Sequence, residues 1–236
     1  MIKMKLSKRL EMIASLVPKG SKIADIGTDH GYIPIYLIQE KIAVHGIAMD
    51  VRKGPLERAE AHIREAGLCG SIEVRLSNGL SKLLENEADC VIIAGMGGEL
   101  MIHILEEGKR LWDTIPFWVL SPHSEPHKVR RFLDIHEFFI EKEIMLKEDG
   151  KYYPAFLVSK GTGKRMNYEK EIFYRYGKLL LEVKECVLME YLKAEEKQLE
   201  EILKVLSQSG TEAAESRKQE LKGALAGNKE AQNEMQ

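Results

Sequence analysis

The 236-residue chain predicts an α/β fold: a mixed, Rossmann-like sheet of seven strands followed by a separate helical module. Three observations carry this expectation. Short apolar runs alternate with longer amphipathic segments as far as residue 137, the pattern of parallel strands with helices on both faces. The rhythm then breaks at "FFIEKEIMLKEDGKYYPAFLVSKG" (138–161), where two apolar-rich arms flank "EDG" with no room for a crossover helix. The sheet should therefore end in an antiparallel pair. Beyond "KGTGK" (160–164) no strand pattern recurs.

The elements follow in order. "LSKRLEMIASLV" (6–17) spaces Leu6, Leu10, Ile13 and Leu16 or Val17 along one helical face, and "PKGS" stops it. "KIADIG" (22–27) is a buried strand, and "YIPIYLIQE" (32–40) is the helix after it, with Pro34 in its first turn. "VHGIAMD" (44–50) is the second strand. Its helix, "GPLERAEAHIREAG" (54–67), opens at Gly54-Pro55 and closes at Gly67. "SIEVRL" (71–76), "ADCVIIAG" (88–95) and "FWVLS" (117–121) are the third to fifth strands. "GELMIHILEEGKRL" (98–111) and "EPHKVRRFLDIHE" (125–137) are the helices that follow the last two. Residues 168–206 carry a helical apolar stripe, from Leu179 to Leu206, opposite the polar "EEKQLEE" face. This predicts a helical hairpin or short coiled coil, with a turn at "SQSG" (207–210) and a return arm over 212–226. The domains expected are 1–160, 165–226 and a loose tail at 227–236, which lacks apolar anchors.

Composition narrows the class. A net charge of -2 excludes a generally basic nucleic-acid coat and leaves room for a local basic patch. Cys69, Cys90 and Cys186 lie too far apart for metal spacing or a disulfide framework, which suits reduced thiols in the cytoplasm. No apolar run reaches bilayer length, so neither a membrane nor a targeting segment is expected.

The chemistry concentrates at the strand ends. In "DIGTDHG" (25–31), Asp25 closes the first strand, Gly27 permits a tight turn, and Gly31 starts the next helix, whose amides can donate to an anion. A dinucleotide fingerprint needs a middle glycine, and Asp29 stands there instead. The turn thus favours a nucleotide-type ligand with an amino-acid tail over a diphosphate. Asp50 ends the second strand, where a carboxylate can hold two ribose hydroxyls. Asn78, in "LSNGL" (76–80), can both donate and accept at an adenine edge. "IIAGMGGEL" (92–100) places Ala94, Gly95, Met96 and Gly97 where a parallel sheet presents ligand to substrate. "LSPHSEPHKVRR" (120–131) adds His123, Lys128, Arg130 and Arg131, and no metal site, since no third ligand sits at useful spacing.

Taken together, "LSKRL", "VPKGSKIADIGTDHGYIPIYL" (17–37), "DVRKGPLERA" (50–59), "LSNGL", "IAGMGG" (93–98) and "EDGKYYP" (148–154) resemble the bacterial TrmK family, the tRNA adenine-22 N1-methyltransferases. The resemblance covers residues 5–160 well and the C-terminal helices more loosely. It implies a class I S-adenosylmethionine-dependent methyltransferase core, with S-adenosyl-L-methionine as cofactor and tRNA as partner. It implies cofactor contacts from Asp25, Gly27, Asp29, Gly31, Asp50, Ser77, Asn78, Gly79, Ala94 and Gly95, and it makes Asp29 the candidate catalytic carboxylate. The substrate side is expected to use His30, Tyr32, Met96, Gly97 and His123, with Lys8, Arg9, Lys128, Arg130 and Arg131 as a basic groove joined by Lys3 and Lys5. A monomer or weak homodimer is expected. The sequence departs from the family pattern at Asn78, where Asp is frequent, and at "SPH" (121–123), where Gln-Pro-Asn is frequent. Two other readings of the residues stand beside this one: a methyltransferase for another RNA site or a small molecule, and a non-catalytic RNA-binding scaffold.

Overall fold

The structure is a computed structural model that describes residues 4–208 and 211–236. The chain divides after Met166 into two compact units. Lys3 lies outside the described residues, and so does part of the turn expected at "SQSG".

The first unit opens with helix α1 (Lys8–Ala14), capped by Ser7, whose hydroxyl accepts from the Leu10 amide. Alternation then produces β1 (Ser21–Ile26), α2 (Tyr32–Gln39), β2 (Ala43–Asp50), α3 (Lys53–Glu65), β3 (Ile72–Leu76), β4 (Cys90–Gly97), α4 (Gly98–Glu107), β5 (Phe117–Ser124) and α5 (Pro126–Ile135). The hairpin β6 (Phe138–Glu148) and β7 (Lys151–Lys160) closes the unit. The sheet order is β3-β2-β1-β4-β5-β7-β6, parallel through β5 and antiparallel in the last two pairings. This is the seven-stranded mixed sheet that the alternation and the hairpin predict. Ile23, Ala24, Val91, Ile92, Ile93, Trp118, Val119 and Leu120 are fully or almost fully buried, so the central strands are covered on both faces. The strand order reverses between β1 and β4. Ligands bind at such a switch point, beside the carboxyl ends of the strands.

Two strands run further than their apolar runs suggest. β4 continues to Gly97 and β5 to Ser124, pairing Met96 with Pro122 and Gly97 with Ser124 across register shifts. Glycine permits this approach. A Cβ on Gly98 would lie 2.7 Å from the Ser124 carbonyl oxygen and 2.9 Å from that of Glu125. "SPH" therefore sits on a strand extension that projects past the sheet toward the switch point.

The second unit contains a π-helical turn (Phe173–Gly177), then α6 (Lys178–Glu182), α7 (Cys186–Leu206) and α8 (Glu212–Glu234). α8 corrects the expected tail at 227–236. The helix runs on through Glu234, because Asn228, Ala231 and Met235 are buried in the packed unit. The sequence hides this because the anchor is polar. Asn228 Nδ2 donates to the Leu192 carbonyl at 3.0 Å and to Glu195 Oε2 at 2.8 Å, while the Tyr176 hydroxyl donates to the same oxygen at 2.7 Å. A satisfied polar group of this kind fixes the register of two helices.

Arg130 is a second correction. Expected in a basic groove, it is 1 % exposed. Its guanidinium meets Glu143 of β6 at 2.6 and 2.8 Å and lies 5.0 Å from the centroid of the Phe156 ring. Its face of α5 also carries Val129, Phe132 and Leu133 inward, so the arginine braces helix against sheet. Breaking a buried ion pair strands the partner charge, so Arg130→Ala is expected to cost about 3–5 kcal/mol in chemical denaturation. A phosphate contact would instead leave the denaturation midpoint unchanged and weaken RNA binding.

Candidate active site

The carboxyl ends of β1, β2 and β4 open into a cavity of about 670 Å³. Its wall gathers Asp25, Gly27, Asp29, His30, Gly31, Tyr32, Asp50, Ser77, Asn78, Gly79, Ala94, Gly95, Met96, His123 and Arg9, so most of the predicted residues meet in one place.

The turn after β1 is tied to β2: the Gly27 and Thr28 amides both donate to the Met49 carbonyl, at 2.7 and 2.9 Å. Gly27 has φ +79°, and a Cβ there would fall 2.3 Å from Met96 Cε. Gly31, at φ +72°, caps α2 and leaves no spare room against Ala59 of α3. Between these glycines Asp29 is exposed. Its Oδ1 accepts from Arg58 Nη2 at 2.9 Å, and His30 Nε2 stands 3.3 Å from Oδ2. The rings of His30, Tyr32 and His62 form a short stack with centroids 5.0 and 5.2 Å apart.

Asp50 is buried. Its Oδ1 accepts from the Arg52 amide at 2.8 Å, and Oδ2 makes no hydrogen bond with a described residue. Asp25 is buried beside it. Burial pushes the Asp25 carboxyl up to about 6; the Thr28 hydroxyl pulls partly the other way, and the nearby Asp50 charge adds to the rise. Ser77 is occupied by its own turn, with its hydroxyl donating to the Gly79 carbonyl at 2.9 Å. Asn78 projects beyond it, exposed, with its side-chain amide unengaged among the described residues.

The opposite end is built by β4 and β5. Gly95, at φ +81°, lets the His123 imidazole lie close, 3.7 Å from where a Cβ would be. Arg9 of α1 is hydrogen-bonded to His123 Nε2. Partial burial, then the charges of Arg9 and Lys151, hold the imidazole below its usual range.

Residues 6–156 match the family model described as a methyltransferase domain. The tRNA (adenine(22)-N(1))-methyltransferase of Bacillus subtilis is 37% identical over 161 residues, which cover 68% of each chain. The chain belongs to the bacterial tRNA (adenine-22-N1)-methyltransferase family, TrmK. The crystal structure of the B. subtilis M1A22 tRNA methyltransferase TrmK superposes with a TM-score of 0.84 at 31% identity, over 97% of this chain and 99% of that one. The Mycoplasma capricolum TrmK structure, in complex with the cofactor product S-adenosyl-homocysteine, superposes with a TM-score of 0.85 at 28% identity, over 98% and 99%.

Against this TrmK fold, some substrate-side candidates fall away from the cavity. Gly97 lies against the Ser124 side chain. Lys8 is exposed on α1, and Arg131 is exposed on α5. Lys128 is engaged by Glu99 at 2.6 Å and by Glu125. Arg130 is buried, as described above. Other wall residues escaped the sequence reading. Val51 and Leu100, 60 % and 52 % exposed, put apolar side chains on the wall. The signal for Leu100 was its place off the buried Met101, Ile104 and Leu105 face of α4. Arg58 carried no local signal. Among the described residues no three His, Cys, Asp or Glu side chains gather to hold a metal, and no helix is long and apolar enough to cross a membrane.

The Asp25 shift has a definite sign. A carboxyl raised from 3.8 to about 6 favours the fold most below pH 4, and that advantage is lost as pH rises through 6. Above pH 6 the ligand-free protein carries a cost on the order of 3 kcal/mol for an ionised Asp25. Asp25→Asn is expected to raise the melting temperature of the ligand-free protein at pH 8 and to leave it unchanged at pH 4. Equal melting temperatures at both pH values would contradict the assignment.

Proposed function

We propose that this chain transfers the methyl group of S-adenosylmethionine to N1 of adenine 22 in tRNA, by positioning alone and without a general base. One observation carries the reading: a single cavity joins a nucleoside-holding end, built on Asp50, Asn78 and the 25–31 turn, to an opposite end, built on Gly95 and His123.

The residues fit the methyl donor. The Gly27 turn is a cradle that a Cβ would fill, Asp50 Oδ2 is open toward a pair of ribose hydroxyls, and the unengaged Asn78 amide can meet an adenine edge. Val51 and Leu100 give that adenine apolar contact. S-adenosylmethionine, when bound, supplies an electrophilic methyl group on a sulfonium sulfur. The protein's task is alignment. Adenine N1 attacks with its own lone pair, so no side chain must first remove a proton, and holding the partners in line supplies most of the acceleration. Charge then appears on the base. Asp29 is the carboxylate placed to favour it, oriented by Arg58 and flanked by His30. In folded tRNA the N1 edge is engaged, so the base must swing outward to reach the cavity. A cytosolic setting belongs to the same reading, supported by Cys69, Cys90 and Cys186 as unpaired thiols.

Incubating the protein with labelled S-adenosylmethionine and unmodified bacterial tRNA, then mapping the modified base, tests the reaction. Label at N1 of adenine 22 is the expected result; cofactor binding with no label in tRNA sinks it. Asp50→Ala is expected to weaken cofactor binding about 10- to 100-fold by calorimetry, from the lost charged hydrogen bonds. Asp29→Ala is expected to keep its fold and lose most turnover, and near-normal turnover would return Asp29 to a purely structural role.

A further inference from the structure

Three side chains from three elements meet at the substrate end of the cavity: Arg9 of α1, His123 of β5 and Tyr153 of β7. The Arg9 guanidinium carbon lies 5.2 Å from the centroid of the Tyr153 ring. The His123 and Tyr153 rings are 5.5 Å apart and inclined at 58°. Arg9 and His123 line the cavity, and Tyr153 is half-buried behind them. Arginine can only donate, so His123 Nε2 accepts and the neutral ring carries its proton on Nδ1. Among the described residues Arg9 forms no ion pair. A cation facing the cavity is therefore held only by an aromatic face and a neutral imidazole, partners that phosphate readily outcompetes.

We infer that Arg9 is a placeholder on the Tyr153 ring: a tRNA phosphate draws the guanidinium away, and the target adenine takes its place on that ring. The inference rests on the reaction proposed above and adds a residue to it. In that reaction the N1 lone pair forms the new nitrogen–carbon bond, and the carbon–sulfur pair returns to sulfur. The positive charge thus passes from sulfur to the base, and no proton moves. A neutral adenine gains little electrostatic attraction from an aromatic face, whereas the cationic base gains it fully, so the ring acts on the transition state more than on the bound substrate. Arg9 left in place would oppose that charge; on phosphate it is neutralised. His123 suits the arrangement because its partial burial disfavours a second charge beside the base.

The test uses the full chain and unmodified tRNA, with single-turnover rates, tRNA affinity across a salt series, cofactor affinity and melting temperature measured for each variant. Tyr153→Phe is the reference, and phenylalanines bearing one, two and three ring fluorines at position 153 weaken the face without changing its shape. The rate is expected to fall stepwise, by roughly 10- to 30-fold across the series, while melting temperature and cofactor affinity stay constant. Tyr153→Leu is expected to match the slowest member. Arg9→Gln is expected to weaken tRNA binding and to reduce the slope of log affinity against log salt by about 0.7–0.9, one phosphate contact. Equal rates across the fluorine series, or an unchanged salt slope in Arg9→Gln, overturn the inference while the methyltransferase reading stands. A parent protein that binds cofactor and leaves tRNA unlabelled removes that reading, and this inference with it.

Discussion

The site depends on backbone positions that glycine alone serves well. Gly27 turns the chain at φ +79°, and a Cβ there would also fall 2.3 Å from Met96 Cε, the mobile end of a flexible side chain. That contact joins the turn leaving β1 to the end of β4, two strands that pair in parallel from Ile23–Cys90 to Ile26–Ile93. The sheet sets the strand ends side by side, and the positive φ of Gly27 turns the chain away directly after them. The β4 extension reaches across to Pro122 and Ser124, and it needs glycine again, at Gly98, to pass the carbonyls of Ser124 and Glu125. His123 takes its place beside Gly95 as a consequence. Gly27, Gly95 and Gly98 thus shape the turn after β1 and the β4 extension, and the first two line the same cavity as His123.

Electrostatics works against the fold along the same line. Asp25 and Asp50 end adjacent parallel strands, and both are buried. The protein answers Asp50 with the Arg52 amide and, at 3.6 Å from the same oxygen, the exposed Arg52 guanidinium, and leaves its second oxygen open; among the described residues it gives Asp25 no ion pair, and that carboxyl rises to about 6. A site optimised for stability would have paired both groups. Leaving hydrogen-bond capacity unspent on buried carboxylates makes sense where a ligand brings the donors, and a ribose brings two. The contrast with Arg130 and Glu143 is instructive. That pair is as buried, and there a guanidinium meets the carboxylate directly, with contacts of 2.6 and 2.8 Å to Glu143 Oε1.

Much of this was legible in the chain. Apolar alternation located the first five strands because both faces of the central strands are buried, and the two arms around "EDG" located the antiparallel last pair. The glycine turn and Asp50 were legible because a parallel sheet delivers its strand ends to one place. What escaped reading depended on partners distant in sequence. Arg130 looks like Arg131 in "KVRR"; only the position of Glu143, on a strand beyond the helix, decides which one is buried. The tail at 227–236 looked loose because its anchor is Asn228, a polar residue that becomes a core residue only when Leu192 and Glu195 meet it. Tyr153 and Arg58 lie inside "EDGKYYP" and "DVRKGPLERA" but were not singled out there, since each matters through a residue far away in the chain.

The carboxylate at Asp29 remains the most informative position, because the structure places it between two demands. It stands in the glycine turn, where a dinucleotide site would need open backbone, and it is already engaged by Arg58. An exposed ion pair of this kind is weak, so Arg58 orients the carboxylate more than it neutralises it. A carboxylate that is fixed in direction and exposed can still respond to charge arriving nearby, whereas burial pushes the Asp25 carboxyl toward its neutral form. The exposure of Asp29 is therefore part of its fitness: of the three acidic groups on this wall, it alone stays outside the buried pair while facing the same cavity. The departure at His123 has a matching logic. An imidazole there accepts from Arg9, and partial burial with the Arg9 and Lys151 charges holds it below its usual range, so position 123 itself favours the uncharged ring where a cationic base must form.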